Sequence, residues 1–332
     1  MKKTILASAI AAATFSGAAL AHDSNLPTVY GNIQYALTYE NFDEGPHFVD
    51  HFDNGSTLGI THSHEIAPGI TGFFKLELEG IDADDKSESN GIDGLDEAYI
   101  GVKGDSFGQI WVGSDDSTYE SAIDVISNFY EIGSPNLGGG YDTGEGDLIQ
   151  YMSPSFGGLR LAAAVQINGN EKTGGDKSYP YQLAAIYNVD ALELAFAMDS
   201  NDGSLNYSSQ NVNTDNENTY GLRATYNLDN LSLTAQFQTR KDVDDRYGLM
   251  GVYTLGKNQF ALSYEMLNAD AADSDQEVVS IQALHNLSDH MYVYFEGYLS
   301  GGDQVYDFVD DNGVAGVTDE KTLAAIGAVY YF

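Results

Sequence analysis

The chain has 332 residues, with 50 acidic against 14 basic side chains and a formal charge of −36. That balance excludes a nucleic-acid partner, because binding phosphates requires clustered Lys and Arg. Cysteine is absent, which excludes a disulfide scaffold, and Gly (36) and Tyr (23) are abundant while Pro (6) is scarce.

At the amino end Lys2 and Lys3 precede an Ala-rich apolar stretch from Ile5 to Leu20 and the small-residue pattern Ala19-Leu20-Ala21. This reads as a cleaved secretory signal over residues 1–21, followed by one domain over 22–332 that lies outside the cytoplasm. No later stretch approaches the roughly 18 apolar residues of a membrane helix. A mean hydropathy of −0.26 still suits a membrane barrel, where lipid-facing and water-facing residues alternate and the average conceals the apolar face.

From Thr28 the chain resolves into alternating segments of roughly ten residues, the length a tilted membrane strand needs. Val29, Gly31, Ile33, Tyr35, Leu37 and Tyr39 oppose Tyr30, Asn32, Gln34, Ala36, Thr38 and Glu40. Leu159, Leu161, Ala163 and Val165 oppose Arg160, Ala162, Ala164 and Gln166, and the same rhythm recurs at 192–199, 231–238 and 291–299. Short turns such as Ala67-Pro68-Gly69, Asp190-Ala191, Asp229-Asn230 and Gly256-Lys257-Asn258 alternate with long acidic loops. All tight turns then fall at one end and all long loops at the other, which predicts a transmembrane antiparallel β-barrel of about 16 strands around a water channel. The acidic loops read either as a solvated surface or as a funnel that concentrates cations at a pore mouth.

His62 and His64 share the parity of Leu58 and Ile60, hence the face away from the lumen. They read as a subunit-interface or membrane-edge pair in preference to a metal chelate, since no Cys or third ligand is evident. The longest interruption, Ser114 to Gly146, contains an apolar run in which Ile123, Ile126 and Tyr130 have helix-compatible spacing. A loop with apolar residues to bury wants a surface to pack against. It is expected to fold into the barrel and present Asp115, Asp116, Glu120, Asp124 and Glu131 to the channel; resting on the rim or between subunits is the alternative. The chain closes on Leu323 to Phe332, an uncharged strand whose Ile326, Ala328, Tyr330 and Phe332 share one face.

Several segments in order now resemble the Gram-negative general porins. Val29-Tyr-Gly31 is similar to that family's opening strand, and Ser56 to Ile60 with Glu65 to Gly69 to its second strand and first turn. Ala98 to Val102, Phe107-Gly108 and Trp111 to Gly113 are similar to the fourth and fifth strands, and Tyr151 to Gly157 to the turn after the third loop. The resemblance implies a homotrimer of 16-stranded diffusion channels in the outer membrane, each narrowed by an inward third loop. It also implies a carboxyl-terminal assembly signal, here Tyr330 and Phe332, and contact with outer-membrane lipids and the assembly machinery. In the family the pore wall opposite the loop carries basic residues, but the positions that look equivalent here are Asn32, Thr57, Asp96, Ser114 and Gln150. Glu77 joins that wall, and only Lys75 and Arg160 offer it positive charge.

The expected function is passive diffusion of small hydrophilic solutes and ions, weakly cation-selective, without cofactor or metal. The alternative is a sugar-type channel in which Tyr292, Tyr294, Tyr298 and Trp111 form a stacking track. An enzyme is not expected, since no Gly-x-Ser-x-Gly elbow or Ser and His pair is visible; an adhesive barrel is the remaining rival.

Overall fold

The computed structural model describes residues 26–332 except 88, 90, 93, 168–178, 203–216, 271–273 and 311. The expected signal segment, 1–21, lies outside the described residues. The strands are β1 (Thr28–Phe42), β2 (His47–Asp53), β3 (Thr57–Ala67), β4 (Ile70–Glu79), β5 (Gly94–Gly104), β6 (Gly108–Ser114), β7 (Leu148–Met152), β8 (Leu159–Gln166) and β9 (Tyr181–Val189). They continue as β10 (Leu192–Asp199), β11 (Thr219–Leu228), β12 (Leu231–Arg240), β13 (Asp244–Leu255), β14 (Asn258–Ala269), β15 (Gln276–Asn286), β16 (Met291–Val309) and β17 (Ala315–Tyr331). Each pairs antiparallel with its neighbour, and β1 pairs with β17, so the sheet closes into a barrel with 16 strand positions.

The seventeenth segment arises because β2 and β3 share one position, both pairing with β1. Between them Asp53 Oδ1 accepts the amides of Gly55 (3.1 Å) and Ser56 (2.7 Å), and Gly55 takes φ +96°, a tight turn that breaks the ladder. Closure is completed at the very end of the chain. Phe332 N donates to Gly31 O (3.1 Å) and Gly31 N to Phe332 O (3.2 Å), so the terminal residue belongs to the seam.

The register sets the two faces. Outward on β9 to β13 stand residues such as Leu183, Leu194, Leu222, Leu233 and Leu249, all exposed to the surroundings of the barrel. Tyr181, Tyr220 and Tyr247 mark one rim, with Tyr187, Tyr226 and Tyr253 six residues further on at the other. Six residues span about 20 Å along a strand, so the rings flank the apolar stretch of each strand, as aromatic girdles do.

The core is inside the barrel, where the connection 115–147 between β6 and β7 folds inward. Ser117 caps a short helix, α1 (Thr118–Ile123), by accepting the Glu120 amide at 3.1 Å. Its Tyr119, Ala122 and Ile123 pack on an alanine floor of Ala162, Ala184, Ala195 and Ala197 from β8, β9 and β10. Ile126 and Tyr130 bury further round the wall against Met250, Val252, Val278 and Tyr298. The helical turn starts earlier than the spacing of Ile123, Ile126 and Tyr130 predicts, because Ser117 supplies the cap; 127–129 is only a 3₁₀ turn.

Candidate pore constriction

The inward loop is fixed to the wall by groups that the sequence scatters over half the barrel. Arg223 Nε donates to the Ala122 carbonyl (2.7 Å), Arg240 Nη2 to Asp142 Oδ2 (2.8 Å), and Arg246 to the Gly138 carbonyl. Glu296 on β16 accepts the amides of Glu131 (2.8 Å) and Ile132 (3.0 Å). Asp199 on β10 accepts the Thr143 hydroxyl at 2.8 Å and the Gln182 side-chain amide at 2.7 Å. Glycine removes obstruction where the loop lies closest: a Cβ on Gly221 would stand 2.7 Å from Ile123 Cγ1 and from the Tyr119 hydroxyl.

This docking sorts the expected constriction residues into two groups. Asp116 is exposed and Glu120 half-buried, and with Glu145, also exposed, they bring carboxylate oxygens within 4.8 Å of one another in the channel. Asp115 and Asp124, expected there too, are instead buried between loop and wall. Asp115 accepts Trp111 Nε1 (2.6 Å), and Asp124 accepts the Gly139 amide (2.9 Å) and the side-chain amide of Gln238. Both anchor the loop because their neighbours there are donors. Glu131 is turned to the wall as well, its carboxylate accepting the Tyr292 hydroxyl at 2.8 Å.

The facing wall is acidic. Asn32 and Thr57 lie side by side in the lumen, joined by a 2.9 Å hydrogen bond. Lys75 is inward but buried, held between Glu97 and Glu77, so its charge is consumed within the wall. By parity Asp96 would face outward with Ala98 and Ile100. A register shift between the pairs Glu77–Glu97 and Leu78–Leu95 leaves it unpaired and aims its carboxyl at Glu77. Gln150 lies beneath the loop base, accepting the Thr118 hydroxyl (2.8 Å) and donating to the Asp116 carbonyl (3.1 Å). Arg160 stands exposed at the turn end of β8, opposite Ile186.

Burial and like-charge neighbours act together on the loop carboxyls. Asp116 opens to the channel but loses part of its hydration under the loop; that desolvation, then Glu120 and Glu97, pushes it up to about 7, and burial with Glu97 pushes Asp115 up to about 7. Glu145 is raised by partial desolvation in the bore and then by Glu120, Glu79 and Glu97. Burial lifts Asp124 to about 6 and Glu131 to about 7. The shared neighbours place Glu77, Glu79, Asp96, Glu97, Asp116, Glu120 and Glu145 in one electrostatic cluster around the gap.

Sequence reasoning missed Glu145 and Glu97. The first sits in the acidic run Asp142 to Asp147, which reads as surface loop; the second is obscured by the shift at Asp96. The aromatic track is not presented to solutes: Trp111, Tyr292, Tyr294 and Tyr298 are inward but buried, and the Tyr298 hydroxyl donates to Glu296 at 2.6 Å. His62 and His64 do face outward, their rings stacked at 5.2 Å beside Phe74.

A closed barrel with an apolar girdled exterior, a polar interior and a loop folded into its bore is an outer-membrane channel of the porin class. The description "Gram-negative porin" matches residues 7–304, and the chain belongs to that family. It is 32% identical to the monosaccharide porin of a Halomonas species and to the major outer membrane protein of Halomonas elongata, each over 97% of this chain and 84% of that protein. Solved structures share the fold. The anion-selective porin of Comamonas acidovorans superposes with a TM-score of 0.73 at 18% identity, over 92% of this chain and 99% of that one. OmpF of Salmonella typhi gives 0.74 at 15%, over 92% and 97%. The protein is an outer-membrane porin, a channel for small solutes and not an enzyme.

Proposed function

We propose that the pore admits small hydrophilic solutes by passive diffusion and favours cations over anions. The observation that carries this is the acidic constriction: Asp116, Glu120 and Glu145 on the loop face Glu77, Asp96 and Glu97 on the wall, and Lys75 is already paired. Rings of carboxylates in a narrow bore attract cations and repel anions. The arginines Arg223, Arg240 and Arg246 lie on the wall that the loop covers, where their charge meets loop carbonyls and Asp142. The anion-selective fold relative from Comamonas fits this view that side chains set selectivity on a shared barrel. Reversal potentials of the reconstituted protein under a KCl gradient test it; a potential favouring chloride refutes it.

A homotrimer fits the outward surface of β16, β17 and β1 to β5. Small residues (Gly297, Ala324, Ala328, Gly31, Gly72, Ala98) and the His62–His64 pair replace the Leu and Tyr of the opposite side. OmpT of Vibrio cholerae, of similar fold at a TM-score of 0.62, is described in a trimer form. Three-step closure of single insertions tests this. Export with loss of residues 1–21 predicts a mature amino terminus near His22, read by terminal sequencing. The names of the Halomonas relative and of the chitoporin of Vibrio furnissii, 27% identical over 60% of this chain and 58% of that protein, make sugars a solute class to test.

A further inference from the structure

On the outer side of the loop tip the inner wall and the loop bound a half-open pocket of about 470 Å³, away from the constriction carboxylates. The register shows how it is built. Leu323, Glu40 and Phe48 lie side by side across β17, β1 and β2; Ala325, Thr38 and Asp50 form the next row, and Gly327, Ala36 and Phe52 the third. The middle of this patch is therefore small, while Phe48 and Phe52 rise from the same strand on either side of Asp50. Four residues of strand separate the two rings by about 13 Å at their Cα atoms, a gap that admits one compact solute ring. The loop tip supplies the roof through Ile132 and Ser134, and that roof is held in place because the Ile132 amide donates to Glu296 at 3.0 Å.

The chemistry of the lining selects among solutes. Phe48, Phe52, Ile132 and Leu323 offer apolar surface, and Thr38 and Ser134 offer hydroxyls. Of the two carboxylates, Glu40 is neutralised by Lys321 at 2.7 Å. Asp50 Oδ1 accepts the His51 amide at 2.8 Å and the group keeps acceptor capacity for a ligand hydroxyl. An anionic solute is repelled by Asp50, and a cation finds far more carboxylate at the constriction below. A neutral pyranose has what this lining asks for: C–H faces to lie against rings and hydroxyls to donate to a carboxylate.

We propose that this vestibule cavity is a weak binding site for a neutral monosaccharide, loaded before the sugar reaches the constriction. The inference rests on the reading of the pore as a path for small hydrophilic solutes and is independent of its cation preference. Its test is the influx of isotope-labelled glucose into proteoliposomes carrying the full protein, measured against glucose concentration. A site gives influx that half-saturates in the millimolar range, on the order of 4 kcal/mol of binding. Phe48→Ala/Phe52→Ala and, separately, Asp50→Ala should each raise the half-saturation about tenfold, with the KCl conductance and reversal potential of the double Phe variant unchanged. Influx linear in glucose for the unaltered protein, or the same half-saturation in both variants, overturns the proposal. If the double Phe variant fails to assemble, Asp50→Ala alone decides. Saturation by benzylammonium with none by glucose overturns the sugar class. A wrong reading of ion preference would show in the reversal potential and leave the glucose saturation untouched.

Discussion

Converting Asp116→Asn, Glu120→Gln and Glu145→Gln together should remove most of the cation preference contributed by the loop. Their oxygens lie within 4.8 Å of one another, so a permeating ion passes all three at a similar range. At roughly 8 Å in water each unit charge acts on the ion with about 0.5 kcal/mol. Screening at 0.1 M salt, with a Debye length of about 10 Å, leaves about 0.2 kcal/mol per charge. Three ionised carboxylates then amount to about 0.7 kcal/mol, a roughly threefold enrichment of K⁺ and a similar depletion of Cl⁻. The low-dielectric wall focuses the field, so the figure is a lower bound. At 1 M, where the Debye length is about 3 Å, the contribution should vanish. The assay is the KCl reversal potential at pH 8 in both salts, with single-channel conductance as the check on folding. An unchanged potential in 0.1 M for a conducting triple variant, or an equal change in 1 M, would show that these three carboxylates do not set the preference.

The same carboxyls make selectivity depend on pH. Asp116 is held up to about 7 by partial desolvation inside the bore and its acidic neighbours, so it is neutral at pH 5 and charged at pH 8, and cation preference should climb between those values. Arg240→Met removes the charge-assisted hydrogen bond to the half-buried Asp142, worth about 2 kcal/mol; the return limb of the loop should loosen, seen as greater open-channel noise. In Gly221→Val the added carbons meet Ile123 and Tyr119, a cost of about 1–3 kcal/mol. Expected are a lower unfolding temperature and a shifted conductance, and no change in either would show that the loop does not rest there. Deletion of Phe332 removes both seam hydrogen bonds to Gly31; membrane yield should fall more than the conductance of the channels that do insert.

Much of the barrel is local physics. Alternation with period two assigns each strand a lipid face and a water face, and Gly69, Asp190, Asp229 and Gly256, all at positive φ, reverse the chain where turn residues are expected. The turn at Asp53 that splits the second barrel position had an available signal in Asn54-Gly55, but the ladder around it reads continuously. Asp96 is different: parity places it outside, and only the register against β4 shows the extra residue that turns it inward. The alanines at 162, 184, 195 and 197 look like weak strand positions until a helix is laid across them.

Side-chain period and turn chemistry act between near neighbours, so the membrane barrel and its one long acidic loop with apolar residues to bury are legible along the chain, whereas the inward packing of that loop is not. Which carboxylates meet the channel was decided by the tertiary structure alone. Asp115 and Asp116 are adjacent in the chain, yet one is consumed by Trp111 and the other is free in the bore. That difference depends on where the loop docks, and the docking is set by Arg223, Arg240, Arg246 and Glu296, whose partners lie about a hundred residues or more away. Contacts of that separation are made by closing the barrel, and leave no periodic trace in the chain.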